Sequence, residues 1–224
     1  SQHEINEQGL TEVLGQKIAS IRPGDYRFRD QNGDGKITSA DLVLLGSGEP
    51  DFTGGLTNTV SYKNLSLSVA MQFSYGATVF NANLHSLTSG RDGHNQIAEM
   101  NAKSWSPTLY DADGNVFFAG NNEAKYRMPG GVALNYCTSK MLEDGSFLRL
   151  KNVTLGYTLP NKWTKKAYIN RLRVYGTAQN LFCLTKYSGY DPEVNMKSSP
   201  LMPGFDWGAY PKSRVFTFGV EVQF

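Results

Sequence analysis

The stretch Arg214-Val-Phe-Thr-Phe-Gly-Val-Glu-Val-Gln-Phe224, RVFTFGVEVQF, decides how this chain is read. In an extended strand successive side chains point to opposite faces, so Phe216, Phe218, Val220, Val222 and Phe224 line one side. Thr217, Gly219, Glu221 and Gln223 line the other. A strand of about ten residues with aromatic ends, apolar on one face and polar on the other, fits one stave of a membrane barrel. The last strand of a soluble sandwich alternates in the same way. This stretch alone therefore leaves two folds open.

The same pattern recurs upstream. Phe52 to Tyr62 sets Thr53, Gly55, Thr57, Thr59 and Ser61 against Phe52, Leu56, Val60 and Tyr62. After the turn Lys63-Asn64, the run Leu65, Leu67, Val69, Met71, Phe73, Tyr75 alternates without a break against Ser66, Ser68, Ala70, Gln72, Ser74. Such strict period-two alternation predicts strands and leaves no room for helix. Phe147 to Leu159 and Arg171 to Phe182 supply two further strands, with Val153, Leu155, Tyr157 and Leu159 on one face of the former. Before Asn152 the alternation slips, because Leu148 and Leu150 are apolar, and a β-bulge is expected there. The fold class is all-β, with about five antiparallel strands.

The connections alternate short (63 to 64), long (77 to 145), short (160 to 170) and long (184 to 212). Outer-membrane barrels place short turns in the periplasm and long loops outside, so the C-terminus is expected in the periplasm and residues 1 to 50 outside. A sandwich gives no reason for this order. Five strands cannot close a barrel, which takes about eight, and both sheet edges would stand bare in lipid. The missing strands are expected from sequence upstream or from another chain.

Composition agrees with a barrel. Of 224 residues 19% are charged and 40% hydrophobic, with 23 Gly, 12 Tyr and 12 Phe, as expected where half of each strand faces a polar lumen. The net charge of +2 does not suit a nucleic-acid binder, and positive charge clusters only at Lys162, Lys165 and Lys166. No run approaches the roughly 18 apolar residues of a membrane helix. Ser1 opens a polar segment, SQHEINEQGL, without an export signal, so the chain is expected to be the C-terminal part of a longer precursor or a product of one. Cys137 and Cys183 are too few for a disulfide framework; two free thiols are expected, with pairing in an oxidising compartment left open.

One site is legible. Asp30-Gln-Asn32-Gly-Asp34-Gly35-Lys36-Ile37-Thr38-Ser-Ala-Asp41 has the spacing of an EF-hand calcium loop. Asp30, Asn32 and Asp34 offer oxygens at positions 1, 3 and 5, Gly35 permits the sharp turn, Lys36 offers its carbonyl, and Asp41 closes the loop. Ile37 stands where such loops place an apolar anchor. Asp41 is shorter than the usual Glu, which points to the weaker, extracellular class of site and to a structural Ca2+ that staples its own loop. Upstream, Glu4 to Ile21 reads as weakly helical, ending at the turn Pro23-Gly24-Asp25. Trp105, Tyr110, Tyr187, Tyr190 and Trp207 are possible substrate-loop aromatics, while Tyr62, Tyr75, Trp163 and Tyr168 at strand ends suit an interface girdle. His85 and His94 lack zinc spacing, and Ser146, Ser188 and Cys137 sit in no nucleophile motif, so no catalytic residue is expected and the protein reads as no enzyme.

Several segments together resemble the C-terminal part of the SusC/RagA-type TonB-dependent outer-membrane transporters of the Bacteroidota. They are Pro23-Gly-Asp-Tyr-Arg-Phe-Arg-Asp-Gln-Asn-Gly-Asp-Gly-Lys-Ile37, Gly46 to Phe52 leading into Ser61-Tyr-Lys-Asn-Leu65, and Phe147-Leu-Arg-Leu-Lys-Asn-Val-Thr-Leu-Gly-Tyr157. Arg173-Val-Tyr-Gly-Thr-Ala-Gln-Asn-Leu-Phe182, Tyr187-Ser-Gly-Tyr-Asp-Pro-Glu193 and Tyr210-Pro-Lys-Ser-Arg214 extend the match. The resemblance implies a barrel of about 22 strands around a plug, importing glycans or peptides under a SusD-like lipoprotein and powered by TonB. Residues 1–50 would be an extracellular loop carrying the calcium motif and 51–224 a barrel segment in contact with outer-membrane lipid. The plug, the TonB-contacting part and most strands are not in this sequence. The alternative is a soluble, calcium-stapled carbohydrate-binding sandwich or adhesin module, which must bury its apolar strand faces within this chain.

Overall fold

A computed structural model of the chain describes residues 12–13, 16–17, 24–26, 28–89, 95–121, 123–127, 138–194 and 203–224. By internal contacts the chain forms two compact units, residues 1–45 with 83–139 and residues 46–82 with 140–224. The sequence reading placed one boundary between 50 and 51; the stretch 83–139, read as a loop, groups with residues 1–45.

The larger unit is built on an antiparallel sheet of five strands, β1 (Phe52–Tyr62), β2 (Leu65–Tyr75), β3 (Phe147–Thr158), β4 (Arg171–Thr185) and β5 (Val215–Gln223). Each strand lies beside its neighbour in sequence, in the order β5-β4-β3-β2-β1. All five expected strands are present. β1 and β5 each lack a partner on their outer side within this sheet.

Register explains the alternation. Phe218 lies opposite Gly176, Gly176 opposite Leu155, Leu155 opposite Leu67 and Leu67 opposite Val60, so one row of apolar side chains crosses all five strands. The row is uncovered: Phe218 is 84% exposed, Val220 64% and Val60 57%. On the opposite face the contacts are polar and also cross strands. Thr59 meets Ser68 at 3.1 Å, Thr154 meets Thr177 at 2.9 Å, and Arg173 reaches both Ser66 at 3.4 Å and Glu221 at 3.5 Å. Gly219 makes room here, since a Cβ would stand 2.4 Å from the Tyr175 ring. A sandwich buries its apolar face against a second sheet, and this sheet does not. The soluble-sandwich alternative is therefore set aside.

The slip before Asn152 is a break in register between Leu150 and Asn152. Across it β3 carries one residue more than β2, and β4 one more than β3, with Asn180 at a positive φ of 53°. The apolar face thereby continues through Leu150 and Phe182, then Leu148 and Leu184. Turn Lys63-Asn64 and the connection Leu159 to Asn170 lie at one end, the latter containing a short helix, Asn161–Thr164, and a 3-10 turn, Lys165–Ala167. The two long connections leave and re-enter the sheet at the other end.

In the smaller unit one expectation is corrected. Glu12–Val13 and Gln16–Lys17 are not helical but pair as antiparallel strands, and Glu12–Val13 also pairs in parallel with Lys36–Ile37. Gly15 between them costs a helix about 1 kcal/mol relative to Ala, and the pairing satisfies the backbone instead. The rest of the expected helix, Glu4 to Ile21, lies outside the described residues. The stretch expected to be irregular from Ala77 to Gly145 also holds short elements, among them the helices Ala82–Leu87 and Glu99–Lys103 and a hairpin of Leu109–Tyr110 with Val116–Phe118.

Candidate functional site at the loop-bearing end

At the end with the long connections, Thr78–Asn81 forms the centre of a small sheet, with Leu142–Asp144 antiparallel on one side and Phe205–Asp206 parallel on the other. Phe80 stacks on Phe205 with ring centroids 5.4 Å apart. Beneath lies a small core of Val79, Tyr187 and Val194. Gly48 passes so close to the Pro203 backbone that a Cβ would stand 2.2 Å from its carbonyl oxygen, which fixes glycine there.

Buried polar groups concentrate here. Arg149, on the polar face of β3, is 4% exposed and holds Asp191 at 2.5 Å and Glu193 at 3.7 Å, while Lys212 pairs with Glu193 from outside. The Glu193 N–H also donates to the Asp191 carboxylate. The Tyr187 hydroxyl donates to buried Asp206. Burial, and then that bond to a carboxylate, push the Tyr187 phenol well above its ordinary range, so it stays a donor. Glu143 accepts from Asn81 Nδ2, from the Ser188 hydroxyl and from the Ser188 N–H. Ser146 accepts from the Gly76 N–H, and its carbonyl accepts from Thr185 Oγ1, tying three strand ends together. These contacts join the connection after β4 to the ends of β2 and β3. Most of the cluster's polar groups satisfy one another, Arg149 Nε excepted, and they tie the loop segments to the strand ends.

The expected substrate-loop aromatics divide. In this unit Tyr190 is 80% exposed and Trp207 55%, whereas Tyr187 is buried in the small core. Its hydroxyl finds a carboxylate inside, and a buried Tyr needs such a partner. Tyr210, 91% exposed, is a further loop ring beyond those five. In the smaller unit Tyr110 is exposed, while Trp105 is half-buried against Gly24, where a Cβ would stand 2.4 Å from the ring.

The predicted calcium loop folds on its own amides. Asp30 Oδ1 accepts from Gly33 N–H at 2.7 Å and Oδ2 from Gly35 N–H at 2.9 Å, Asp34 Oδ1 from Lys36 N–H at 2.8 Å, and Asn32 Oδ1 from Asp34 N–H at 2.9 Å. Asp41 accepts from Thr38 and Gln31 N–H, and these bonds, Thr38 first, hold its carboxyl below the usual range. Gly35 takes a φ of 79°, which favours glycine. Ile37 is buried, 3% exposed. The donor set is all oxygen, the chemistry a hard divalent cation takes. Among the described residues no three His, Cys, Asp or Glu side chains are gathered at one point. Cys183 is a free thiol; Cys137 and His94 lie outside the described residues.

No family model matches the chain. It is 36% identical over 207 residues to the TonB-dependent receptor P3 of Formosa agariphila and 30% identical over 210 residues to the TonB-dependent receptor SusC of Bacteroides thetaiotaomicron, covering 90% and 91% of this chain. In structure it matches the RagAB peptide transporter with a TM-score of 0.66 and 29% identity over 84% of this chain. The chain is a segment of a SusC/RagA-type TonB-dependent receptor. It spans about a fifth of the length of these relatives, 19% and 18% of the two receptors and 19% of the solved chain. The five-stranded sheet accordingly corresponds to part of the solved SusC/RagA-type chain.

Proposed function

We propose that this chain forms five staves at the C-terminal side of an outer-membrane importer that takes up glycans or peptides, driven by TonB and covered by a SusD-like lipoprotein. The observation that carries this is the open sheet, apolar and uncovered on one face, polar on the other and unpartnered at both edges. Lipid suits the first face, the lumen and plug the second, and upstream strands the edges. The order of loop lengths supports periplasmic short turns and an extracellular cluster around Arg149. The relatives support import: one solved neighbour is a peptide transporter and a curated relative is SusC. No catalytic role is assigned. The test uses the full-length receptor in intact cells with Tyr190→Cys or Lys162→Cys and a membrane-impermeant thiol reagent. Labelling is expected at position 190 alone. Labelling at 162 alone would invert the orientation, and a receptor soluble without detergent would end the barrel reading.

For the loop Asp30 to Asp41 the proposal is a structural calcium ion bound by Asp30, Asn32, Asp34 and Asp41 with the Lys36 carbonyl. The sequence spacing, the left-handed Gly35 and the buried Ile37 support it. Asp34→Ala is expected to abolish the calcium heat seen by titration calorimetry of the chelated receptor while the sheet stays folded. Because the Asp41 carboxyl is depressed, the loop's hold is full above the ordinary carboxylate pKa and weakens as pH falls through its lowered value. Absence of calcium heat from the parent in millimolar calcium would refute the site.

A further inference from the structure

We propose that the short-connection end of the sheet binds the phosphate headgroup of an anionic glycerophospholipid, a proposal that rests on the barrel reading above. Lys63, Lys162, Lys165 and Lys166 are all exposed there, and none has a carboxylate within ion-pair distance among the described residues. The connection Leu159 to Asn170 contains no Asp or Glu. The acid of β5 that ion-pairs at this end, Glu221, is engaged by Arg173.

These lysines share one rim. Thr158 N–H donates to the Asn64 carbonyl at 2.8 Å, setting the β1–β2 turn against the start of the connection, and Asn170 N–H donates to the Gln223 carbonyl at 2.8 Å, setting its end against β5. Exposed aromatic rings stand among them: Tyr62, Trp163 and Tyr168. Tyr62 closes the apolar face opposite Leu65, and Lys63 Nζ lies 5.3 Å from the centre of its ring. The apolar wall thus ends in amphipathic rings and then in uncompensated positive charge. Tyr and Trp rings settle at the depth of lipid headgroups, and ammonium groups just beyond attract anionic phosphates. Lysines kept only for solubility would not require that sequence from apolar face to ring to charge.

The test uses the full-length receptor in detergent, with native mass spectrometry counting adducts of phosphatidylglycerol against phosphatidylcholine of the same acyl chains. The parent is expected to prefer phosphatidylglycerol by at least about fivefold. Lys63→Gln, Lys162→Gln, Lys165→Gln and Lys166→Gln combined should abolish the preference, and the same four positions changed to Arg should keep it. Equal preference in the parent and the Gln variant overturns the proposal. So does a Gln variant that keeps its lipid adducts but loses binding of a polyglutamate peptide, which would assign the patch to an acidic polypeptide. A receptor that does not fractionate with the outer membrane at all fails the barrel reading, whereas one that inserts normally without the preference fails this proposal alone.

Discussion

Asp191→Ala is expected to free the segment from Tyr187 to Val194 from the sheet end, at a cost of about 3–5 kcal/mol to its closed state. Arg149 and Asp191 keep only 5% and 7% of their side-chain surface exposed, so removing one partner leaves a guanidinium in a dry site. Glu193 stands 3.7 Å from Arg149 Nε, and that nitrogen has no hydrogen bond of its own, so the remaining acid only partly replaces the lost one. The measurement is hydrogen exchange of the full-length receptor. Amides of 187–194 should lose protection while those of β3 keep it. Replacing both partners, Arg149→Met with Asp191→Leu, should recover much of the protection, because an apolar pair leaves no stranded charge. Unchanged protection in Asp191→Ala would show that the loop is held by its small apolar core instead.

Val220→Arg is the second large effect. Val220 sits in the middle of β5 on the apolar face, opposite Val174. A charged residue facing the middle of the bilayer costs about 2–4 kcal/mol, less toward the interfaces. Gln223→Arg, on the polar face near the strand end, should cost little. Urea titration of the receptor folded into lipid vesicles compares the two. Equal losses would mean that the faces are assigned wrongly.

Strands were legible because a wall between lipid and water writes its two sides into every second residue. Leu65 to Tyr75 needs no knowledge of its neighbours. The slip at Leu148 and Leu150 was visible, but not its compensation at Asn180, which depends on how β4 is registered against β3. Loop roles were harder to read, since they depend on contacts far apart in sequence. Nothing beside Tyr187 announces Asp206, nineteen residues on, and Arg149 looks like an ordinary strand cation until Asp191 is placed against it. The available signal was Arg149 falling on the side of Gln72, together with the acids flanking Pro192. Glu12 to Lys17 misled because a short amphipathic run reads alike as helix or hairpin, and only the partner Lys36–Ile37 decides.

The break in β3 has a consequence for how this wall can change in length. Lipid-facing positions are odd-numbered from Val153 to Tyr157 and even-numbered at Leu148 and Leu150, so the strand changes phase part-way along, as a text does at a frameshift. Loss of Lys151 alone would merge the two phases, because Leu150, Asn152 and Val153 would then alternate without a break, and Arg149 would stay on the side of Asp191. Loss of two adjacent residues away from the break would shorten the strand yet keep inside in and outside out. In the regular part of the strand single-residue insertions and deletions are thus mirror operations that exchange lipid for water, whereas at the break an odd step preserves the wall.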